Sequence, residues 1–367
     1  MLVSIIINNY NYDRFLRAAI DSALSQTYRP VEVIVVDDGS TDQSRVTIEH
    51  YGDQITAVLK ENGGQSSALT IGFAHSHGDV VIFLDADDVL LPHAAQAVVD
   101  AFRAQPAAAK IQYRMIVIDR NGQPSMIIKP PPHIPLPSGD LRRPELDFPF
   151  DLAWLPTSGN AFSTQALHRI LPIPEDYGAV GADWYLAHVA SLLGPVVSVN
   201  EVCAYYRVHA GNHYEVAAPV LDLAHVRQTL TYMDCTRRQL LHYAEQLSLP
   251  DRPAAILSVS YVANRLASFK LARDQHPFAG DSPIGLLRLA LMAVARRSDV
   301  SWIMRMMFRV WFVLVIVAPR SLARSLIEVF FFPERRQRLN RWLGTLHATR
   351  KQLSGTQAAH STRSLSE

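Results

Sequence analysis

The first hundred residues alternate short apolar runs with longer stretches in which apolar positions recur about every four residues. Residues 4–8, 31–36, 55–59 and 79–84 are mainly Val, Ile, Leu and Phe, and read as strands buried on both faces. A helix begins near Asp13, its candidate cap, and keeps Leu16, Ile20 and Leu24 on one side. Residues 42–51, 65–76 and 92–104 read as three more helices, the last with Pro92 at its first position. Buried strands separated by helices predict a mainly parallel α/β sheet covered on both faces. Such sheets bind ligands beyond the carboxyl ends of their strands. Three polar clusters stand there: Asn8-Asn9-Tyr10-Asn11, Asp37-Asp38-Gly39-Ser40 and Asp85-Ala86-Asp87-Asp88.

The rest of the chain changes character. Residues 110–119 and 196–208 read as strands, and 163–171 and 181–193 as helices. Residues 129–137 hold five prolines and read as a loop. From residue 220 the pattern is helical over about 220–247, 253–274, 283–297 and 300–332, with Pro319 as a break. The division expected is an α/β unit over 1–215, with halves meeting near residue 105, and a helical extension over 216–352. A Ser- and Thr-rich tail, 353–367, reads as disordered.

Composition narrows the class. With 49% hydrophobic and 19% charged residues, the 367-residue chain is not disordered. Two cysteines, Cys203 and Cys235, exclude a disulfide scaffold and a four-cysteine zinc site, and favour a reducing compartment. The net charge of +1 conceals a partition. Residues 1–280 carry 21 Lys and Arg against 29 Asp and Glu, whereas residues 281–367 carry 14 against 5. A basic segment calls for an anionic partner. Trp, Phe and Met mingle with arginines over 302–332, which favours an anionic membrane surface over nucleic acid. The uncharged run 310–319 is half the ~20 residues a span needs. Arg320, Arg324 and Glu328 count against extending it into a span. The first residues lack a secretory signal, so the expected place is the cytoplasm, at the inner face of the cell membrane.

The polar clusters carry candidate chemistry. Carboxylates two apart at a strand end can share a divalent cation such as Mg²⁺ or Mn²⁺, although Asp85, Asp87 and Asp88 read equally as a solvated acidic turn. Asp38 is placed to accept hydrogen bonds from a base or ribose, while Asp42 reads as a helix cap. Gly63-Gly64 before a helix suits the approach of phosphate, or an ordinary loop. A second enzyme reading, a nucleotide-cofactor oxidoreductase, lacks its dinucleotide fingerprint, because no Gly-x-Gly-x-x-Gly follows the first strand.

Taken in order, several segments resemble the family 2 glycosyltransferases, which have the GT-A fold. They are Ser4-Ile5-Ile6-Ile7-Asn8-Asn9-Tyr10-Asn11, Ser25-Gln26-Thr27-Tyr28, Val35-Val36-Asp37-Asp38-Gly39-Ser40, Asn62-Gly63-Gly64-Gln65 and Leu84-Asp85-Ala86-Asp87-Asp88. The likeness is close over residues 3–103 and looser to about 213. It implies a nucleotide-diphospho-sugar donor and a divalent cation, Mn²⁺ or Mg²⁺. Asn8, Tyr10, Asp38, Gly64 and Asp85 would hold the donor. Asp87 and Asp88 would bind the metal, with no choice between them from the sequence.

Thr157-Ser158-Gly159-Asn160-Ala161-Phe162 resembles the family's segment beside the acceptor, which would put Ser158, Gly159 and Asn160 there together with Trp184. Gly181-Ala182-Asp183-Trp184 resembles the segment carrying the catalytic base, so Asp183 would take the proton of the acceptor hydroxyl. By itself Asp183 reads as a first-turn acid favoured by the helix dipole. Tyr206-Arg207-Val208-His209 resembles the closing segment, implying that Arg207 pairs with phosphate and His209 joins the metal site. The implied activity is inverting sugar transfer to a saccharide or lipid-linked acceptor, in polysaccharide or glycolipid synthesis. The alternative is a non-catalytic sugar-nucleotide-binding scaffold.

Overall fold

A computed structural model describes residues 1–177, 181–209, 211–212, 220–250 and 253–332. The basic run 334–342 and the tail 353–367 lie outside the described residues. The α/β part runs β1 (Val3–Asn9), α1 (Asp13–Leu24), β2 (Val31–Asp38), α2 (Ser44–Glu49), β3 (Thr56–Lys60), α3 (Gly64–Ala74), β4 (Val80–Asp85), β5 (Val89–Leu90) and α4 (Ala94–Ala104). It continues through β6 (Lys110–Ile118), β7 (Pro124–Lys129), α5 (Arg142–Asp147), β8 (Asn160–Ser163), α6 (Thr164–Ile170), α7 (Ala182–Leu193) and β9 (Val196–Arg207). Among the described residues five α-helices follow: α8 (Leu223–Gln246), α9 (Val259–Leu271), α10 (Pro283–Arg296), α11 (Trp302–Val317) and α12 (Arg320–Phe331).

The sheet has nine strands in the order β3-β2-β1-β4-β8-β6-β9-β5, with β7 beside β6. Strands β1 to β4 pair in parallel, as the apolar runs predict. Beyond them the sheet is mixed, because the short β8 lies antiparallel to both β4 and β6. Successive side chains of β1 point to opposite faces. Ile5 and Ile7 pack with α1 and α4, whereas Ile6 packs with Ile34, Val36 and the residues of α3, α6 and α7. The register aligns the strand ends: Asn8 lies opposite Asp85, Asn9 opposite Asp37, and Asp38 opposite Lys60. The three polar clusters therefore meet along one edge.

Several local expectations change. Asp13 does not cap α1 with its side chain; its carboxylate accepts from Thr47, and its own N–H is capped by Asp42 at 3.0 Å. Asp42 also accepts from Ser44 N–H, so one carboxylate closes two helix starts. Helix α4 begins at Ala94, with Pro92 outside it, because the Pro92 carbonyl is engaged by Thr27 N–H and hydroxyl. Gln26 of the Ser25-Gln26-Thr27-Tyr28 motif is buried and spans α1, the Leu91 carbonyl and Ala95 N–H. That motif carries packing rather than chemistry. Helix α9 starts later than its apolar pattern, at Val259, where Asp151 accepts from the N–H groups of Val259 and Ser260, both at 2.8 Å.

Candidate active site

The carboxyl ends of β1, β2 and β4 open into a cavity of about 310 Å³. Asn8, Tyr10, Asp38, Gly64, Asp85, Asp87, Asp88 and Asp183 all border it. Tyr10 is exposed at its mouth, where a ring can stack on a planar ligand. Asn8 hydrogen-bonds Asp85, and the buried Asn8 Oδ1 has no protein partner. A buried acceptor without a partner is costly and suits a polar ligand.

Asp38 does local work first. Its Oδ1 accepts from Gly63 N–H at 2.9 Å, its Oδ2 from Gly64 N–H at 2.7 Å, and Lys60 pairs with it. The left-handed backbone of Gly64 (φ 80°) turns the chain so that both amides face this carboxylate. The amides expected to receive phosphate are thus already engaged. Gly64 borders the cavity as part of a loop that Asp38 has shaped.

The acidic turn divides its carboxylates. Asp88 is directed inward: Oδ1 accepts from Arg207 N–H at 2.9 Å, and the Ser158 hydroxyl also bonds it. Asp87 Oδ2 meets His209 Nε2 at 3.0 Å and Asn212 Nδ2 at 3.4 Å. Asp85 Oδ1 accepts from Gln65 Nε2 at 3.0 Å. Burial and the neighbouring Asp87 carboxylate push the Asp85 pKa up to about 7, partly offset by Asn8 and Gln65. Burial, then Asp87 and Asp85, raise Asp88 well above the usual carboxylate range. Crowded carboxylates of this kind resist full ionisation without a compensating cation.

Four expected roles meet committed side chains. The guanidinium of Arg207 lies behind the cavity wall, with Nε donating to the Asp87 carbonyl at 2.7 Å and Nη1 to the Asp119 carbonyl at 3.3 Å. It braces the acidic turn rather than facing a phosphate. Ser158 lies buried beneath the same turn, where its hydroxyl accepts from Asp85 N–H at 3.0 Å. Asn160 is also buried, its Nδ2 donating to the carbonyls of Leu155 and Pro156. Gly159 is buried between them, leaving Pro156 and Thr157 to border the cavity in place of residues 158–160. His209 packs on Phe15, with ring centroids 4.7 Å apart, and reaches the site through Asp87.

Asp183 stands in the first turn of α7, behind Gly181, whose φ of +139° is open to glycine and strained for other residues. Its Oδ1 accepts from Trp184 N–H at 2.8 Å. Burial raises its pKa, and Trp184 N–H and His188 moderate the rise. Asp183 also borders a second cavity, of about 440 Å³, adjoining the first at Pro156, Asp183 and Tyr206. Phe150, Trp154 and Trp184 wall it. His188 lies among these rings, 5.2 Å from Phe150 and 5.4 Å from Trp154, with the buried Glu145 on its Nδ1. Such a chamber offers flat apolar faces with a carboxylate at one end.

Sequence reading missed Tyr12, Gln65, Thr157, Tyr206 and Asn212 on the first cavity's wall. Gln65, Thr157 and Tyr206 lie inside segments already singled out, but as fillers between better-known positions, and Asn212 lies three residues beyond one. Gln65 bridges Asp85 to the Thr157 hydroxyl, 3.3 Å away, and so links two segments far apart in the chain.

Comparison with known proteins supplies the family. The sequence profile of Glycosyl transferase family 2 matches residues 4–157. An uncharacterized glycosyltransferase of Nostoc sp. is 37% identical over 222 residues, covering 59% of this chain and 68% of that protein. The chain belongs to glycosyl transferase family 2. The Escherichia coli chondroitin synthase is 36% identical over 124 residues, but these are only 18% of its length. In fold, S. aureus TarS residues 1–349 match with a TM-score of 0.51 at 13% identity, covering 90% of this chain and 91% of that one. The same TarS fragment is also known in complex with UDP-GlcNAc, and matches with a TM-score of 0.51 at 12% identity. This family 2 member is a glycosyltransferase of GT-A fold.

Proposed function

We propose that the enzyme moves a sugar, with inversion, from a nucleotide-diphospho-sugar in the first cavity to an acceptor hydroxyl in the second. The observation that carries this reading is the position of Asp183, which borders both cavities where they adjoin. A carboxylate there can accept the acceptor's proton as its oxygen attacks the anomeric carbon. The new C–O bond forms opposite the phosphate, and the diphosphate leaves with the electron pair. The raised pKa of Asp183 favours proton uptake.

The acidic turn suits a divalent cation, Mn²⁺ or Mg²⁺. Among the described residues no three His, Cys, Asp or Glu side chains are disposed to hold a metal ion. Cations of this kind are commonly held by one or two carboxylates, with substrate phosphates completing the shell. The burial and the neighbouring Asp87 charge that together lift Asp85 to about 7 fit that arrangement. Asp87 is our ligand, with Asp85 beside the donor, His209 and Asn212 orienting Asp87, and Asp88 as the turn's buried support. When bound, the cation would supply positive charge for the departing diphosphate. Tyr10 and the Asp38 loop would hold the nucleotide. The aromatic walls of the second cavity suit the apolar face of an acceptor sugar, which would place the enzyme in polysaccharide or glycolipid synthesis.

Thermal shifts with Mn²⁺ and a panel of UDP-, GDP- and dTDP-sugars test the reading. Binding of one donor at about 100 times its Kd should stabilise the fold by about 2.7 kcal/mol, a rise of a few degrees. No shift with any member would count against a nucleotide-sugar donor.

A further inference from the structure

Helices α10, α11 and α12 form a layer on α9. Their inner residues Leu286, Ala290, Phe312, Val315, Ala323 and Ile327 are buried in one cluster. A surface helix normally turns polar residues outward. Helix α11 does not: Ile303, Met307, Val310, Leu314 and Val317 recur at alternate spacings of four and three residues along its outer side, all exposed. Val317 is 71% exposed and Trp302, at the other end, 69%. On the flanking helices, Ile284 of α10, 81% exposed, and Leu322 of α12 are further exposed apolar side chains. Such a continuous apolar face marks an interaction surface.

Charge selects the partner. Residues 283–331 hold seven arginines against Asp299 and Glu328; Arg297 is buried and paired with Asp151 and Asp299, and the other six are exposed or half-buried. Two copies meeting through this face would bring like charge together, whereas an anionic leaflet complements it. Length sets the mode of contact. A 16-residue helix is about 24 Å long, short of a hydrocarbon core of about 30 Å. Among the described residues no helix is long and apolar enough to cross a membrane. We propose that the outer faces of α10, α11 and α12 seat the enzyme on an anionic phospholipid surface. Helix α11 lies in the plane of the interface, its outer line among the acyl chains and its arginines at headgroup level. The proposal does not depend on donor or acceptor, and its failure would leave the transfer reading intact.

Vesicle sedimentation of the full chain tests it. The protein should pellet with vesicles containing about 30% phosphatidylglycerol, at least about tenfold more strongly than with pure phosphatidylcholine. Tryptophan emission should shift to the blue as Trp302 enters the interface. The double variant Val310→Glu, Leu314→Glu changes only exposed side chains, and should keep transferase activity and lose vesicle binding by at least about tenfold. Equal binding by the double variant would overturn the proposal. So would a dimer that the same substitutions split, in a protein that ignores vesicles, since the face would then belong to a second copy.

Discussion

Asp183→Asn should lower kcat by about 10²–10⁴-fold while leaving donor affinity within about twofold. The amide keeps the shape of the side chain and can still accept from Trp184 N–H, so the start of α7 is preserved. What it loses is the capacity to take a proton. The wild-type pH profile offers a second reading of the same group. A base works only when deprotonated, and the folded protein raises the pKa of Asp183. Activity should therefore fall on acidification at a pH above the ordinary aspartate value of about 3.9. Steady-state kinetics against pH, with calorimetric donor binding alongside, would check both. Unchanged turnover would remove Asp183 from the role of base.

Asp87→Ala should have the second largest effect, a loss of about 10²–10³-fold in turnover together with the loss of any tightening of donor binding by Mn²⁺. Asp88→Asn should behave differently. Asp88 is buried and accepts from Arg207 N–H, which an amide oxygen can also do, so this replacement should leave the turn near its wild-type stability while the response to Mn²⁺ persists. Measuring donor affinity with and without Mn²⁺ for both variants separates ligand from support. A Mn²⁺ response kept in Asp87→Ala and lost in Asp88→Asn would reverse the assignment.

Much of this architecture is legible in the chain because it is local. The buried strands, the helices between them and the break at Pro319 follow from apolar spacing and backbone chemistry. The register that aligns Asn8 with Asp85 follows from parallel pairing. Allocation of individual hydrogen-bonding atoms is not local. Nothing in the sequence says that the Gly63 and Gly64 amides turn to Asp38, or that Ser158 bonds the acidic turn. The late start of α9 depends on Asp151, more than a hundred residues earlier in the chain. The second cavity gathers Lys129, Phe150, Trp184 and Tyr206 from separate elements, and no short motif could announce it. Short motifs located the first cavity; tertiary packing built the second.

In the proposed transfer, a single displacement at the anomeric carbon delivers the acceptor's proton to Asp183 where the two cavities adjoin. The anomeric configuration of the first product tests it most directly. Proton NMR of the product formed from an α-linked nucleotide sugar should show a β-linkage. An α-linked product would contradict the account.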